Sequence, residues 1–166
     1  MRVNSIIRES IVDGPGIRYA LFTQGCEHGC PRCHNPQTHD REGGVEIAMR
    51  DIIADLKNEA NENPLLDGVT ISGGEPLLQA GSLVRFADAA LSMGLGIWLY
   101  TGFTIEEISS RGNPDELSLV ERADVLVDGR FEFGKRTLES RFVGSTNQKI
   151  IERPKLYIHG PHKNPR

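Results

Sequence analysis

Short apolar runs followed by glycine alternate with longer segments of helical periodicity through most of this chain. Runs rich in β-branched or aromatic residues predict strands over residues 17–23, 69–72, 97–100 and 125–128. Apolar residues recur at helical spacing over residues 45–60, 83–91 and 117–123, and residues 104–107 have the pattern of a capping box that opens another helix. This alternation predicts a parallel sheet with right-handed crossovers.

The chain length limits how such a sheet can close. A complete eight-unit (β/α) barrel usually needs about 250 residues, so 166 residues supply about five or six units. We therefore predict a single-domain α/β fold, an open partial (β/α) barrel over residues 1–151, followed by a C-terminal tail over residues 152–166 that ends in a polar, Pro-rich stretch. A doubly wound sheet is the alternative.

Composition excludes several classes of protein. A hydrophobic content of 38% and a charged content of 25% are typical of a globular domain with a real core. The net charge of −4 argues against a general nucleic-acid binder and against a membrane-surface protein. No apolar run approaches the roughly 20 residues that span a bilayer, and the N-terminus lacks a secretory signal, so we expect a cytoplasmic protein.

The residues that could bind a ligand or take part in a reaction follow the predicted strands. A cysteine-rich loop follows residues 17–23, and the three later strands run into Gly-Gly-Glu at 73–75, Tyr-Thr-Gly at 100–102 and Asp-Gly-Arg at 128–130. Ligands of parallel α/β folds bind where the carboxyl ends of the strands meet their loops. These four segments are therefore expected to share one site.

All the cysteines of the chain lie in that loop, at Cys26, Cys30 and Cys33. A disulfide would leave one thiol unpaired, so a metal centre is the better interpretation. Iron–sulfur clusters usually take four cysteine ligands, and a 4Fe–4S cluster held by three would leave one iron open for chemistry. Spacing alone leaves zinc equally plausible, with a fourth ligand from one of three histidines, His28, His34 or His39.

Two motifs in order carry a family resemblance. The C-x3-C-x2-C spacing followed by Ser-Gly-Gly-Glu-Pro at 72–76 resembles the radical S-adenosylmethionine enzymes. Further segments at 13–18, 98–102, 125–131 and 144–148 resemble the glycyl-radical activating enzymes, most of all those that act on anaerobic ribonucleoside-triphosphate reductase. The likeness covers residues 13–151. Arg32 departs from it, because the family usually has an aromatic residue just before the third cysteine.

The resemblance implies a cofactor pair and a reaction. Three thiolates would hold one 4Fe–4S cluster, and S-adenosylmethionine would bind its fourth iron. Reductive cleavage would give a 5′-deoxyadenosyl radical that takes hydrogen from a backbone glycine of the large subunit of the reductase. The electron donor would be a small redox protein such as flavodoxin. The alternatives are an activase of another glycyl-radical enzyme, of the pyruvate formate-lyase type, and a zinc-binding interaction module.

The resemblance also implies where S-adenosylmethionine would lie. Gly73 and Gly74 would let the backbone approach S-adenosylmethionine closely, and Glu75 would pair with its ammonium group. Asp128 and Arg130 would lie beside its methionyl part. The backbone at Arg32, Cys33 and His34 would lie near adenine, and Thr101 would lie near the ribose. Asp13 would face the substrate glycine. For each motif a plainer interpretation exists: a tight turn at 73–75, a surface salt bridge at 128–130, a turn at Asp13, and core packing of Tyr100.

Overall fold

Four parallel strands form the centre of a seven-stranded sheet. The computed structural model of the chain describes residues 1–158. The central neighbours are β2 (Ile17–Thr23), β4 (Leu66–Gly73), β5 (Gly96–Tyr100) and β6 (Val125–Asp128), paired in parallel in that order. The parallel sheet predicted from the alternating pattern is confirmed for this part of the molecule.

The flanking strands correct the prediction that the whole sheet is parallel. The strands β1 (Arg2–Ser10), β3 (Val45–Glu46) and β7 (Lys149–Glu152) pair antiparallel, so the sheet order is β3-β1-β2-β4-β5-β6-β7. These strands escape a search for apolar runs because charged and exposed residues interrupt them, as is common near sheet edges. The result is an open, mixed α/β fold.

Four helices occupy the connections between the strands. They are α1 (Met49–Glu62), α2 (Ala80–Ser92), α3 (Ile105–Arg111) and α4 (Pro114–Arg122). The capping box before α3 is confirmed, because Thr104 and Glu107 exchange side-chain-to-backbone hydrogen bonds. The assignment of Val45 to the first helix is wrong, since Val45 lies in β3. Within residues 1–158 no helix has the length and apolarity needed to cross a membrane.

Alternation along the central strands separates the core from the site. Tyr19 and Leu21 of β2 and Ile71 of β4 are fully buried in the cluster that packs under the helices. Their neighbours Phe22 and Ser72 lie on the opposite face and line a cavity. Successive side chains of a strand point to opposite faces, so one face of the sheet stabilises the fold and the other is free for function.

The chain beyond residue 151 continues to contact the domain. Glu152 pairs with Val125, Pro154 is buried, and Ile158 is buried within the main hydrophobic cluster. The division at residue 151 stays a prediction, and the Pro-rich end from residue 159 onward lies outside the described residues.

Asn113 stabilises the start of α4, so Asn113→Ala is expected to destabilise the protein. Its side-chain oxygen accepts hydrogen bonds from the backbone N–H groups of Asp115 and Glu116, at 3.0 and 3.3 Å. Loss of such a cap lowers the free energy of unfolding by about 1 kcal/mol. Urea unfolding measures the change. Asn58→Ala, at an exposed position inside α1, is the matched control and should cause no loss, and an equal loss in both would contradict the capping role.

Candidate active site

The four predicted strand ends meet around one cavity. The cavity has a volume of about 740 Å³ and lies at the carboxyl ends of the central strands. Each of the four segments contributes to its wall, which includes Cys26, Cys30, Cys33, Gly73, Gly74, Thr101, Gly129 and Arg130. The expectation that these distant segments share a site agrees with this arrangement.

The cysteine loop, residues 26–33, leaves the end of β2 and is fastened by backbone hydrogen bonds. The Gly25 N–H donates to the Thr38 carbonyl at 2.8 Å, and the Cys26 N–H donates to the His39 carbonyl at 3.3 Å. The Cys33 N–H closes a turn on the Cys30 carbonyl at 3.1 Å. All three thiols are free, half-buried and in the same cavity.

The environment of Cys26 and Cys30 favours the neutral form of these two thiols until a metal binds. Burial raises the pKa of Cys26, which a hydrogen bond from the His28 backbone partly offsets. Burial and the nearby Cys33 raise the pKa of Cys30. Thiolates are the ligands of iron and zinc, so metal binding here must release protons.

The raised pKa values predict the pH dependence of thiol modification. In the folded, iron-free chain, alkylation of Cys26 and Cys30 by iodoacetamide should have its pH midpoint above the ordinary thiol value of 9.0. The urea-unfolded chain is the control and should titrate near that ordinary value, because unfolding removes the burial. Peptide mass spectrometry follows each cysteine separately. Equal midpoints in the two states would contradict the desolvation described here.

Two of the three candidate histidines, His28 and His34, have other contacts, whereas His39 lines the cavity and its buried Nε2 has no hydrogen-bond partner among the described residues. Both ring nitrogens of His28 contact other residues, Glu75 and Arg130. His34 lines the cavity, but its ring packs on Phe131 at a centroid distance of 4.4 Å. In the part of the chain that the structure describes, no three His, Cys, Asp or Glu side chains gather around one point as a single tetrahedral ion requires. Three thiols around one cavity fit a cluster with one open iron better.

Glu75 is a buried junction rather than a free cavity carboxylate. One carboxylate oxygen accepts from the Leu77 N–H and the Thr101 hydroxyl, both at 2.9 Å. The other accepts from the Gly102 N–H at 2.8 Å and contacts His28 Nε2 at 2.6 Å. The side chain is 1% exposed, and Glu75 is not part of the cavity lining. Its charge therefore lies behind the wall, where it joins three strand ends.

Gly73 and Gly74 are required by the close approach of two strand ends. Gly73 has a φ of 114°, and a Cβ there would lie 2.3 Å from the backbone nitrogen of Thr23. A Cβ on Gly74 would lie 2.3 Å from the Gly25 carbonyl oxygen, directly before the cysteine loop. Both glycines line the cavity. The segment is a tight turn, and its backbone is also part of the site wall.

The two charged residues at the carboxyl end of β6, Asp128 and Arg130, have different positions. Arg130 lines the cavity, and its Nε donates to His28 Nδ1 at 3.2 Å. Asp128 is buried and accepts a hydrogen bond from the Ile105 N–H at 2.8 Å, at the start of α3. Burial raises the pKa of Asp128. Arg130 thus faces the cavity, where its Nη2 also lies 3.7 Å from Glu107 Oε1 in a surface ion pair, whereas Asp128 holds α3 against the end of the strand.

Asp13 and Tyr100 lie at another part of the cavity wall. The Asp13 carboxylate accepts a hydrogen bond from the Ser10 hydroxyl at 2.5 Å, and its carbonyl accepts from the Thr70 hydroxyl at 2.7 Å. Burial, followed by the charge of Asp13, raises the pKa of Tyr100. The Asp13 turn is therefore fixed from two sides with its residue at the cavity, and Tyr100 lines the cavity too.

Arg32 lies outside the cavity lining. It is exposed, adopts a left-handed backbone with a φ of 56°, and places its guanidinium 4.3 Å from the centre of the Phe133 ring. A cation on an aromatic face is a favourable contact. The side chain thus stacks on a protein ring, while the following residues Cys33 and His34 face the cavity.

Sequence reasoning missed the bridging position of His28 and the apolar rim of the cavity. The local sequence marks His28 only as a candidate zinc ligand, because the partners of its ring are 47 and 102 residues away along the chain. The rim includes Leu138, Phe142 and Val143, in a segment without regular periodicity. No local pattern marks either feature.

Comparison with known proteins agrees with this site. A family model described as "4Fe-4S single cluster domain" matches residues 12–151, which confirms the predicted type of cluster. The anaerobic ribonucleoside-triphosphate reductase-activating proteins of Salmonella typhimurium and Enterobacteria phage T4 are 34% and 30% identical over 158 and 155 residues. These alignments cover 90% of this chain, and 97% and 93% of the two relatives.

A second kind of relative matches a shorter segment. The pyruvate formate-lyase-activating enzyme of Listeria monocytogenes is 40% identical over 95 residues, which is 57% of this chain and 38% of the relative. The near full-length matches, the family model and the three-cysteine cavity agree with one another. The chain therefore belongs to the family of anaerobic ribonucleoside-triphosphate reductase-activating proteins.

Proposed function

We propose that this protein is a radical S-adenosylmethionine activase that generates the glycyl radical of anaerobic ribonucleoside-triphosphate reductase. The observation that carries the proposal is the meeting of three thiols with three other strand ends in one cavity. The 4Fe–4S cluster, when bound and reduced, would supply the electron for reductive cleavage of S-adenosylmethionine, and this chemistry would allow hydrogen to be taken from the substrate glycine. Near full-length relatives with this name support the assignment.

The residues of the chain bind and orient the two cofactors. Cys26, Cys30 and Cys33 are the cluster ligands, and the backbone at Gly73 and Gly74 lets S-adenosylmethionine approach closely. Arg130, the cationic side chain among the cavity-lining residues, pairs with the methionyl carboxylate.

The other predicted contacts remain part of the proposal. Thr101 would lie near the ribose, and the backbone around Cys33 and His34 would lie near adenine. Glu75 and Asp128 act from behind the wall by holding the loops. The fold is interpreted as a partial (β/α) barrel of the radical S-adenosylmethionine type, in which the cavity lies at the carboxyl ends of the parallel strands.

The cavity rim suits a polypeptide substrate. Ile7 and Val12 are 45% and 74% exposed, and Leu138 is 87% exposed, yet all three line the mouth of the cavity. Exposed apolar side chains in one place mark a surface that another protein can cover. We propose that the exposed side chains of Ile7, Val12 and Leu138 bind the glycine-bearing loop of the reductase large subunit. Asp13 is proposed as a further contact to that loop.

An electron donor and an oxygen-free compartment complete the proposal. An iron with an open coordination position reacts with oxygen, so the activity belongs in an anaerobic cytoplasm. The donor is proposed to be a small redox protein such as flavodoxin. Dithionite can replace it in the test below.

The decisive experiment is anaerobic reconstitution with iron and sulfide. The expected product is a brown protein with about four irons per chain. With dithionite and S-adenosylmethionine it should release 5′-deoxyadenosine, and with the reductase large subunit it should give a glycyl radical signal in electron paramagnetic resonance. A colourless protein that binds one zinc and releases no 5′-deoxyadenosine would refute the proposal.

The second candidate is an activase of a pyruvate formate-lyase-type enzyme, which the Listeria match favours. That match covers 57% of the chain, whereas the matches to the reductase-activating proteins of Salmonella typhimurium and phage T4 cover 90%. Offering the reconstituted protein both the reductase and pyruvate formate-lyase separates the two functions. A radical on the lyase alone would favour the second.

A further inference from the structure

We infer that His28 is a positioning residue that fixes the cysteine loop to the strand ends around the cavity. The inference deepens the proposed function and rests on it. His28 lies midway between Cys26 and Cys30, and its side chain is 7% exposed. Its imidazole contacts residues that follow three other strands, so a single ring joins all four segments of the site.

The hydrogen-bonding partners of His28 determine which nitrogen carries the proton. Arg130 Nε can only donate, so His28 Nδ1, at 3.2 Å, must accept. His28 Nε2 then carries the hydrogen and donates it to Glu75 Oε2 at 2.6 Å. A neutral imidazole therefore links a buried carboxylate to a cavity guanidinium, and each of its nitrogens has a separate role.

The ring is also held by shape. Its centre lies 4.6 Å from that of Phe103 in an edge-to-face arrangement. A Cβ added to Gly102 would lie 2.4 Å from two atoms of the imidazole, so the glycine makes room for the ring. A side chain with hydrogen bonds at both nitrogens and close packing on its faces has little freedom to move.

The position of this ring is coupled to the cluster ligands. His28 is two residues from each of Cys26 and Cys30, so a shift of its ring, which contacts Glu75 and Arg130, would move the backbone between two proposed cluster ligands. Removal of the imidazole would take one of four donors from the buried Glu75 carboxylate and would leave Arg130 with its ion pair to Glu107 alone among these contacts. The cysteine loop would then no longer be held in one position relative to the other segments that line the cavity.

Three substitutions separate the two hydrogen bonds. His28→Gln places an amide N–H near the position of Nε2 and can keep the link to Glu75. His28→Asn places an amide oxygen near the position of Nδ1 and can keep the link to Arg130. His28→Ala keeps neither. Because the link to Glu75 is shorter and more buried, we expect function to decrease from wild type to Gln, then Asn, then Ala.

The test measures iron content and S-adenosylmethionine affinity in each anaerobically reconstituted variant, with the electron paramagnetic resonance spectrum of the reduced cluster as an independent readout. His28→Ala should raise the dissociation constant of S-adenosylmethionine by roughly 10- to 100-fold, as when the hydrogen-bonding partner of a metal-site group is removed. His28→Gln should recover most of the affinity, a rescue that simple destabilisation would not produce. Val120→Ala, at a buried position of α4 outside the cavity lining, controls for destabilisation.

Two outcomes would overturn the inference. One is a His28→Ala protein whose affinity and spectrum match wild type. The other is a Val120→Ala protein that has the same melting temperature as His28→Ala and loses as much affinity for S-adenosylmethionine as His28→Ala does. If the wild-type protein itself binds neither iron nor S-adenosylmethionine, the proposed function fails instead, so the two failures are distinguishable.

Discussion

Replacement of any one of the three cysteines by serine is expected to reduce 5′-deoxyadenosine formation to background. The chain has no other cysteine, and no spare thiol can replace a lost ligand. A cluster left with two thiolates would bind weakly and lose iron. Iron and sulfide content, the visible absorption band and 5′-deoxyadenosine release should all fall together in the reconstituted variants.

The matched control for this loss is Glu27→Ala. Glu27 lies in the same loop but is exposed, and its ion pair with Arg41 is a surface contact of small energetic value. This variant should keep its iron content and activity. A serine variant that retains a full 4Fe–4S cluster and wild-type cleavage would show that the cysteine concerned is not a ligand.

The second large effect is expected for Gly73→Ala, which should destabilise the protein and abolish S-adenosylmethionine binding. A φ of 114° is open to glycine alone, and the new Cβ would lie 2.3 and 2.5 Å from the backbone nitrogen and oxygen of Thr23. Backbone atoms inside a sheet cannot move aside as a flexible side chain can. Strain and overpacking together should lower the free energy of unfolding by about 3 kcal/mol or more.

Gly94→Ala separates the clash from the backbone conformation. Gly94 also has a positive φ, of 73°, but a Cβ there would meet no atom within 4 Å. Gly94→Ala should lower the free energy of unfolding by only about 1–2 kcal/mol, the penalty of a left-handed conformation. Urea unfolding of both iron-free variants measures the difference, followed by titration with S-adenosylmethionine after reconstitution. Equal destabilisation would mean that the strand ends can separate without difficulty.

The parts of the fold that were predicted correctly are those with local causes. The strands β2 and β6 match their predicted bounds because each is a mostly apolar, β-branched or aromatic run bounded by glycine. The capping box at Thr104 was recognised because both of its hydrogen bonds lie within four residues. The strands β1 and β7 were missed because their pairing depends on neighbours that the local pattern does not reveal.

The features of the site also divide into those with local causes and those that depend on long-range packing. The sequence by itself determined the donor atoms and the four segments that surround them, because thiol spacing and strand ends are local properties of the chain. Only the tertiary structure decided that Glu75 and Asp128 lie behind the cavity wall while Arg130 faces the cavity. It also placed His28 between residues 47 and 102 positions away. Such contacts depend on how separate loops meet, which the packing of the whole sheet controls.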